Sequence, residues 1–466
     1  MWRGPVAVRV RTVVVGAPAS GSGKTILATG LMGALRRRGS VVAPFKVGPD
    51  YIDPGYHGLA AGRPGRNLDP VLVGADQIAP LARHGASGAD VAVVEGVMGL
   101  FDGRLADGYG STAQVAALLG APVVLVVDCR GQSRSLAALL HGFRSFDAGA
   151  GQRVRLGGVV LNRVGSERHE AVLRAAADEV GLPVLGALPR RDALAVPSRH
   201  LGLVTAAEHG PAATAAVAAM ADLVEHHVDL DAVLRIAEPL PPGPAWSAAD
   251  AVGARTPPGR ARTAVLGGRA FTFGYAEHVE LLEAAGAEVV VVDPLRDEAL
   301  PPGTAALVLP GGFPEEHVAD LGANNGLRAA VRTFAASGAP VHAECGGLLY
   351  LCASLDGVPM CGVLPARASM TRRLTLGYRD AVALTGSPLF AAGERVSGHE
   401  FHRCAVTPRA GTGPAWAWRD GEPEGVVAGG VHASFLHTHP AGNPGSVARF
   451  VAAAAAGERD TGTVRS

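Results

Sequence analysis

The feature that most constrains this chain is a short β-branched run that ends in a glycine-rich loop near the N-terminus. Val13–Val15 lead into Gly16, and an apolar helical pattern follows the loop. The loop closes with Gly21, Ser22, Gly23, Lys24 and Thr25. Glycines let backbone N–H groups turn inward, and a helix N-terminus adds partial positive charge, so this pattern favours phosphate binding. An ordinary glycine turn between a strand and a helix is the alternative.

Two side chains of this loop have defined tasks in the phosphate-binding interpretation. Lys24 reaches the terminal phosphates of ATP, and the hydroxyl of Thr25 holds Mg²⁺. The spacing departs from the strict pattern G-x-x-x-x-G-K-[ST], because Pro18 stands where that pattern has glycine. The Gly-Lys-Thr ending after an apolar strand still favours a phosphate loop (P-loop).

Two later predicted strands each end in a loop that carries charged side chains. In open α/β sheets, ligands bind beyond the carboxyl ends of the strands. A carboxylate there, beside a phosphate loop, is the usual partner of Mg²⁺, which gives that role to Glu95 together with Thr25. The other charged candidates in the two loops are Lys46, Asp50, Asp53 and Asp102. A solvated turn cluster is the alternative for the first of these loops, since Gly, Pro and Asp favour turns.

Strands alternate with helical patterns along the chain, which predicts an α/β fold with a doubly wound parallel sheet. At 466 residues the chain is too long for one core. We predict an N-terminal P-loop domain over residues 1–236 and a Pro-rich linker over 237–262. A second α/β domain over 263–457 and a polar tail over 458–466 complete the chain.

Asn162 stands at the end of a predicted strand over residues 158–162. Its side-chain amide can contact the edge of a nucleobase, so it is a candidate ATP-binding residue. A plain turn residue explains a single Asn at this position equally well.

The second domain contains a cysteine between a short strand and an apolar helical pattern. Gly346 and Gly347 follow Cys345 directly, which is typical of the elbow that exposes a nucleophile at the top of a sheet. We expect the helix dipole to lower the pKa of the Cys345 thiol. The backbone N–H groups of Gly346 and of the Gly311–Gly312 turn can form an oxyanion hole.

Two histidines near the C-terminus supply the base that a catalytic cysteine needs. His437 and His439 are two residues apart, so on a strand they share one face. One would activate Cys345 and the other would orient the first. Metal binding is the alternative for this pair, but no third ligand stands out. His399 and His402 form a second cluster whose role stays open.

Composition excludes several classes of partner. The formal net charge is zero and no basic patch dominates, which argues against nucleic acid. No apolar run approaches the ~20 residues of a spanning helix, so we expect no membrane association. Five cysteines without C-x-x-C spacing argue against a disulfide framework or a zinc site and favour a reducing cytoplasm.

With these residues in view, the chain resembles the cobyrinic acid and hydrogenobyrinic acid a,c-diamide synthases of cobalamin biosynthesis. The resemblance covers nearly the whole chain, and its most specific part is KVGPDYIDPGYH at Lys46–His57. Supporting motifs lie at Val94–Gly103, Ser198–Leu203, Pro310–Glu315 and Ala343–Gly347.

The resemblance implies a P-loop synthetase domain of the dethiobiotin-synthetase type, joined to a class I, triad-type glutamine amidotransferase domain. It implies a carbon–nitrogen ligase that uses ATP, Mg²⁺ and glutamine to amidate the a and c carboxylates of a corrinoid through an acyl phosphate. By resemblance, Asp50, Asp53 and Asp102 lie near Mg²⁺ and the reacting carboxylate, which Lys46 steers.

In the second domain, the resemblance implies that Cys345 forms a glutamyl thioester and releases ammonia while His437 moves the protons. Many relatives of this triad class have Glu two residues after the catalytic His, whereas this chain has His439. The residue that orients His437 is therefore open.

Two other readings remain at this point. One is a nucleotide switch or partitioning-type ATPase with a non-catalytic C-terminal domain, and the other is a hydrolase that uses only Cys345 and His437. The choice between hydrogenobyrinate and cobyrinate and the order of a and c amidation are open. So is the oligomeric state, for which a homodimer is one option.

Overall fold

The structure is a computed structural model. It describes residues 10–105, 107–146, 154–190, 198–199, 202–253, 260–419 and 421–462, with the backbone alone described at 198–199, 202–203 and 458–462. The chain divides into two compact units between Trp246 and Ser247.

The first unit is built on a parallel β-sheet of valine-rich and leucine-rich strands. Val13, Val14 and Val15 are fully buried, as expected for a sheet whose two faces are both covered by helices. In chain order the strands are β1 (Arg11–Gly16), β2 (Val42–Val47), β3 (Arg66–Leu68), β4 (Val91–Glu95), β5 (Val123–Asp128), β6 (Leu156–Val164) and β7 (Val184–Pro189). Their order across the sheet is β3-β2-β4-β1-β5-β6-β7. The carboxyl ends of β2, β4 and β1 therefore lie side by side, where the phosphate loop and both charged loops begin.

The helices of the first unit connect these strands. They are α1 (Lys24–Arg37), α2 (Asp53–Ala61), α3 (Pro70–Val73), α4 (Ala75–Gly85), α5 (Thr112–Leu118), α6 (Ser135–Ser145), α7 (Glu167–Glu179), α8 (Ala206–His209), α9 (Pro211–His227) and α10 (Leu230–Ile236). Helix α1 packs closely on α9 because it presents glycines there. A Cβ at Gly30 would lie 2.5 Å from the carbonyl oxygen of Met220, and one at Gly33 would lie 2.8 Å from Cβ of Ala221. This packing holds the helix that follows the phosphate loop.

Within the Ser198–Leu203 motif, β8 (Ser198–Arg199) pairs antiparallel with β9 (Gly202–Leu203). Residues 200 and 201 of that motif lie outside the described residues, so its Arg-His pair carries no structural account.

The first part of the predicted linker is fastened to the first unit. Strand β10 (Glu238–Pro239) pairs antiparallel with β1. Arg83 donates hydrogen bonds to the carbonyl oxygens of Pro244 at 2.7 Å and Pro241 at 2.8 Å, and the ring of His84 lies 5.0 Å from that of Trp246. Backbone pairing and side-chain contacts thus attach residues 238–246 to the first unit, and the linker over 237–262 stays a prediction.

The second unit contains a mainly parallel sheet and a smaller, mainly antiparallel one. The first consists of β11 (Ala261–Leu266), β12 (Ala287–Val292), β13 (Thr304–Leu309), β14 (Val341–Glu344), β20 (Val426–Ala428) and β21 (Val431–Ser434). The second consists of β15 (Ser354–Leu355), β16 (Val358–Pro359), β17 (Arg367–Ala383), β18 (Arg395–Thr407), β19 (Trp416–Ala417) and β22 (His437–Thr438). The first sheet has the order β12-β11-β13-β14-β21-β20, and the path of the second is β16-β15-β17-β18-β22, with β19 beside β17. Strand β22 brings His437 against His399 of β18.

The helices of the second unit are α11 (Ala248–Val252), α12 (Ala276–Ala284), α13 (Val318–Ala323), α14 (Asn325–Ala336), α15 (Gly346–Leu351) and α16 (Pro444–Gly462), with 3₁₀ turns at Pro314–His317 and Pro440–Gly442. Helix α16 continues past Gly457, so residues that we assigned to the tail extend the last helix. Within the described residues, no helix combines the length and the apolar character needed to cross a membrane.

Candidate functional site

The phosphate loop connects the buried strand β1 to helix α1. Gly21 has φ 77° and Gly23 has φ 107°, which are left-handed backbone conformations that glycine adopts without a steric cost. A side chain at Gly23 would also collide with the amide nitrogen of Asn162. The loop therefore requires glycine at position 23 for two reasons, and helix α1 starts directly after it at Lys24.

Lys24 is folded back onto the backbone around the loop. Its ammonium group donates hydrogen bonds to the carbonyl oxygens of Ala19, at 3.2 Å, and Met98. Burial, together with the positive charge of Lys46, lowers the pKa of Lys24 to about 8. Lys24 and Lys46 are the only lysines of the whole chain, and both belong to this site.

A buried charged cluster lies at the ends of β2 and β4. The ammonium nitrogen of Lys46 is 2.6 Å from Oδ2 of Asp53 and 2.8 Å from Oε1 of Glu95. The hydroxyl of Thr25 donates to Oε1 of Glu95 at 2.7 Å and lies 3.5 Å from Oδ2 of Asp53. The structure thus brings together Thr25, Lys46, Asp53 and Glu95, which we selected from separate segments of the sequence.

The two carboxyl groups of this cluster have different proton affinities. Burial alone would raise the pKa of Glu95, but Lys46 and hydrogen bonding with His57 hold it well below its usual range. Burial and the neighbouring carboxylate of Asp50 raise the pKa of Asp53 to about 7, against the opposing effect of Lys46. Glu95 is therefore the firmly ionised member of the cluster.

His57 is a member of this cluster that we did not select from the sequence. Its Nε2 lies 2.6 Å from Oε2 of Glu95, and its side chain is fully buried. It is four residues after Asp53 on helix α2, so the two side chains share a helix face. That spacing in the Lys46–His57 motif is the signal that points to His57.

Asp50 and Asp102 shape the loops around the cluster. Oδ1 of Asp50 accepts hydrogen bonds from the backbone N–H groups of Ile52 at 2.7 Å and Asp53 at 3.1 Å. Oδ2 of Asp102 accepts from the N–H of Gly99 at 2.9 Å, and its charge acts on Lys24. Both carboxylates therefore accept hydrogen bonds from backbone N–H groups of their own loops. Asp102 also lies close enough to Lys24 for its negative charge to act on that lysine.

Asn162, for which the nucleobase contact stays a prediction, makes two hydrogen bonds within the protein. Its Nδ2 donates to the carbonyl oxygen of Ser22 at 2.8 Å, and its Oδ1 accepts from the N–H of Arg163 at 2.9 Å. The side-chain amide of Asn162 therefore braces the phosphate loop from β6. In the sheet, only β5 lies between β6 and β1, the strand that precedes this loop.

The oxygen atoms around Thr25 suit a magnesium ion. Hydroxyl and carboxylate oxygens are the ligands that Mg²⁺ prefers, and it usually completes its coordination with substrate phosphates and water. Thr25, Asp53 and Glu95 supply such oxygens beside the phosphate loop. Within the described residues, no group of three or more His, Cys, Asp or Glu side chains is arranged to hold a metal ion by itself.

In the second unit, Cys345 occupies a sharp elbow between β14 and α15. It has φ 47°, an uncommon value for a residue other than glycine, and its N–H donates to the carbonyl oxygen of Ser434 at 2.7 Å. A Cβ at Gly346 would lie 2.9 Å from the backbone nitrogen of Gly312. The two glycines that we expected to form an oxyanion hole are therefore adjacent at the elbow.

The electrostatics of Cys345 differ from our expectation of a lowered thiol pKa. Burial and the charge of Glu315 raise it, while a hydrogen bond from the N–H of Gly346 opposes the rise. Glu344 and Glu400 act in the same direction as Glu315. Burial and three carboxylates thus outweigh the short helix α15, so the thiol needs a base that removes its proton.

His437 is packed against the glycine turn. A Cβ at Gly311 would lie 2.5 Å from Cε1 and 3.3 Å from Nε2 of His437, so only glycine fits beside this ring. The ring stacks on that of His399 at a centroid distance of 5.0 Å. The other ring nitrogen of His437, Nδ1, lies 3.4 Å from Oε2 of Glu344.

His439 lies one residue beyond β22, which ends at Thr438, and its own backbone is still extended, with φ −89° and ψ 121°. Nδ1 of His439 accepts a hydrogen bond from the N–H of Ala441 at 3.2 Å and caps the 3₁₀ turn Pro440–Gly442. Its ring stacks on Tyr275 at 4.1 Å. The structure therefore gives His439 contacts with the backbone of this turn and with Tyr275, and its role beside His437 stays a prediction.

Comparison with known proteins identifies both units. Residues 13–204 match the CobQ/CobB/MinD/ParA nucleotide binding domain, and residues 262–444 match the CobB/CobQ-like glutamine amidotransferase domain. Hydrogenobyrinate a,c-diamide synthase of Mycobacterium tuberculosis (strain H37Rv) is 61% identical over 459 residues, which cover 96% of this chain and 99% of the relative. The chain belongs to the hydrogenobyrinate a,c-diamide synthase family.

Two further relatives of the same name are also similar to nearly the whole chain. The synthase of Streptomyces coelicolor is 56% identical over 95% of this chain and 97% of its own length, and that of Thermobifida fusca is 53% identical over 96% and 98%. A solved structure, PurLQS from Thermotoga maritima, aligns with 41% of this chain and 98% of its own at 16% identity and a TM-score of 0.33, too low to support an inference.

The two matched domains give this diamide synthase family member an N-terminal P-loop domain and a C-terminal glutamine amidotransferase domain. The nucleotide-binding match contains the cluster around Lys24 and Glu95, and the amidotransferase match contains Cys345, His437 and His439. Each chemical site therefore lies within a domain of known type.

Proposed function

We propose that this chain is an ATP- and glutamine-dependent ligase that amidates the a and c side-chain carboxylates of hydrogenobyrinate in cobalamin biosynthesis. The observation that carries the proposal is 61% identity over 96% of the chain to a synthase of that name. The clusters around Glu95 and Cys345 supply the two chemical functions that such a reaction needs.

A carboxylate does not react with ammonia directly, because oxide is a poor leaving group. In our proposal, an oxygen of the substrate carboxylate attacks the γ-phosphorus of ATP, ADP leaves, and an acyl phosphate forms. Lys24 approaches the transferring phosphoryl group, and Lys46 orients the substrate carboxylate. Ammonia then attacks the acyl carbon, and phosphate leaves.

Thr25, Asp53 and Glu95 would hold Mg²⁺ through oxygen atoms, with the phosphates of ATP as further ligands. When bound, the ion would neutralise negative charge on the phosphates during transfer. His57 and Lys46 keep Glu95 ionised for this role, since both lie within 2.8 Å of its oxygens. Asp50 and Asp102 keep the surrounding loops in place.

Cys345 would supply ammonia from glutamine. His437 removes the thiol proton while Sγ attacks the side-chain amide carbon, and N–H groups of Gly312 and Gly346 stabilise the negative oxygen. The proton moves to the departing nitrogen, ammonia leaves, and water hydrolyses the thioester to glutamate. His439 supports this site through its contacts with Ala441 and Tyr275.

The test follows product mass in a reaction that contains hydrogenobyrinate, ATP, MgCl₂ and glutamine. We expect two successive conversions of carboxyl to carboxamide, each with one ATP and one glutamine consumed. A parallel reaction with cobyrinate shows whether the enzyme amidates the cobalt-free corrinoid, the cobalt-containing corrinoid or both. ATP hydrolysis without an amide product from either corrinoid would overturn the proposal and favour a nucleotide switch.

Cys345→Ala divides the reaction into its two halves. We expect the variant to lose glutamine-driven amidation and to keep amidation driven by added ammonium chloride. If a folded Cys345→Ala protein loses both to the same extent, the assignment of the two half-reactions to separate sites is wrong.

The proposal also covers the cellular location of this protein and its oligomeric state. All five cysteines are free, which supports a reducing cytoplasm, where small biosynthetic enzymes of this kind would meet ATP and glutamine. We also propose a homodimer. Cell fractionation tests the location, and light scattering coupled to size-exclusion chromatography tests the dimer, which a monomer mass would exclude.

A further inference from the structure

Glu344 lies directly before the candidate nucleophile and at the end of a buried strand. Strand β14 is parallel to β21, and Glu344 is the register partner of Ser434. The chain leaves β21 at Ser434 and reaches His437 three residues later. This register places the Glu344 carboxylate beside the start of β22, although 93 residues separate Glu344 from His437 in sequence (437 − 344).

Both oxygens of Glu344 are turned toward β22. Oε2 lies 3.4 Å from Nδ1 of His437. Oε1 accepts hydrogen bonds from the backbone N–H of Thr438 at 3.2 Å and from its hydroxyl at 3.1 Å. The two Thr438 bonds fix the carboxylate in rotation, so Oε2 is held at the imidazole rather than free to turn away.

The carboxylate is charged in this position. Burial alone would raise the pKa of Glu344, but hydrogen bonding with His342 and His437 holds it well below its usual range. Nε2 of His342 approaches Oε1 at 3.4 Å from the same strand. An ionised carboxylate therefore faces Nδ1 of His437, whereas the Gly311 turn packs against Cε1 and Nε2 of the same ring.

The neighbouring histidines are less suited to this task. Nδ1 of His439 is engaged by the N–H of Ala441. The ring of His399 is nearly parallel to that of His437, at an interplanar angle of 16°, so it contacts a face and not a ring nitrogen. Burial also lowers the pKa of His399, which keeps it neutral.

We propose that Glu344 is the positioning residue of His437, in the place that a carboxylate two residues after the histidine takes in many enzymes of this triad class. The inference rests on the proposed glutaminase role of Cys345 and His437. Glu344 accepts the Nδ1–H of His437, which leaves the Nε2 lone pair free to take the thiol proton. When that proton arrives, the carboxylate stabilises the imidazolium until the proton passes to the departing ammonia. The 3.4 Å separation shortens to a hydrogen bond in the reacting complex.

The experiment measures glutamine hydrolysis without any corrinoid, so its outcome does not depend on the identity of the amidated substrate. Glu344→Gln keeps the shape and an oxygen for Thr438 but removes the charge. We expect kcat to fall on the order of 10²-fold while KM for glutamine changes by less than about threefold. Glu344→Asp restores the charge on a shorter side chain, and we expect its kcat to lie about tenfold above that of Glu344→Gln.

Glu283→Gln, an exposed carboxylate on α12, is the matched control, and its kcat should equal that of the parent. Thr438→Val removes one donor to Oε1, so it tests the same carboxylate without touching its charge, and a kcat loss of about threefold is expected. If Glu344→Gln does not fold by circular dichroism, Glu344→Asp and Thr438→Val carry the test.

Three outcomes would overturn the proposal: an unchanged kcat in Glu344→Gln, a loss confined to KM, or a Glu344→Asp variant no more active than Glu344→Gln. Failure of the proposed function looks different, because the parent enzyme would then lack Cys345-dependent glutaminase activity altogether.

Discussion

The ammonium nitrogen of Lys46 lies 2.8 Å from Oε1 of Glu95, and the two residues are register partners on the adjacent parallel strands β2 and β4. Both side chains are almost completely buried. The same ammonium group also contacts Asp53, so one buried cation serves two carboxyl groups.

Lys46→Met removes the buried cation while it keeps most of the side-chain volume. We expect the free energy of unfolding to fall by about 3–5 kcal/mol, because Glu95 is left as a buried charge without its ammonium partner. Urea denaturation of the variant and of the parent measures the difference. Arg130→Met, which removes an exposed ion pair with Asp128, should cost less than about 1 kcal/mol. Equal losses in the two variants would contradict this account of the cluster.

Asn162→Ala removes the amide that braces the phosphate loop. We expect the affinity for ATP and for inorganic triphosphate to weaken by about tenfold each, because both ligands depend on the same loop. Isothermal titration calorimetry measures both constants. A loss for ATP alone would indicate that Asn162 reads the nucleobase after all. Asn325→Ala, which removes a contact with Arg328 in the second unit, should leave both affinities unchanged.

Gly346→Ala places a Cβ 2.9 Å from the backbone nitrogen of Gly312 and 3.0 Å from Cδ of Pro314. We expect glutaminase kcat to fall on the order of 10²-fold, because the glycine turn must move away from the elbow. Ammonia-driven amidation should stay at the level of the parent. Gly457→Ala on α16, where a Cβ meets nothing within 4 Å, is the control. Full glutaminase activity in Gly346→Ala would exclude the expected oxyanion hole.

Glu424 makes the stability of the second unit depend on pH. It is buried and accepts hydrogen bonds from the hydroxyl of Ser434 and the N–H of Phe435, and burial raises its pKa from 4.5 to about 7. Between these two values the unfolded chain releases the proton and the folded chain keeps it, so stability falls as pH rises, by roughly 3 kcal/mol in total.

Glu424→Gln removes this dependence, since the amide stays neutral. Its oxygen can accept from the N–H of Phe435 while its NH₂ group donates to Oγ of Ser434. We expect the variant to be more stable than the parent at pH 8 and similar to it near pH 4. Denaturation midpoints across this range measure the effect. Glu298→Gln, an exposed carboxylate of the same unit, should follow the parent curve. A constant difference between Glu424→Gln and the parent at every pH would refute the titration of Glu424.

Local patterns were sufficient to predict much of the fold. The apolar strands, the loop at Gly21–Thr25 and the elbow at Cys345 are each a continuous stretch of sequence. The order of residue types within each stretch therefore indicates its local backbone conformation and hydrogen bonds. The segment from β3 to α4 escaped prediction because β3 has only three residues and α4 contains Pro80, a residue that usually interrupts a helix.

The side-chain partners were harder to predict, because strand register decides them. His57 reaches Glu95 across 38 residues, and Glu344 reaches His437 across 93 (437 − 344). The cap that Nδ1 of His439 forms on the 3₁₀ turn Pro440–Gly442 also depends on the backbone beyond β22, which the spacing of the two histidines does not report. The raised thiol pKa of Cys345 depends first on burial and then on Glu315, and neither can be read from the residues next to the cysteine.

The confinement of both lysines to the phosphate-loop site makes primary-amine chemistry specific to that site. Every other basic side chain that is charged at neutral pH is a guanidinium, which does not react with mild acylating reagents. Apart from the N-terminal amine, a reagent of this kind can modify only Lys24 or Lys46. Because Lys24 has its pKa lowered to about 8, it offers the free amine near neutral pH. Bound ATP should protect Lys24 from an amine-selective label. The extent of labelling at Lys24, measured by peptide mapping, would therefore report the fraction of enzyme that holds nucleotide.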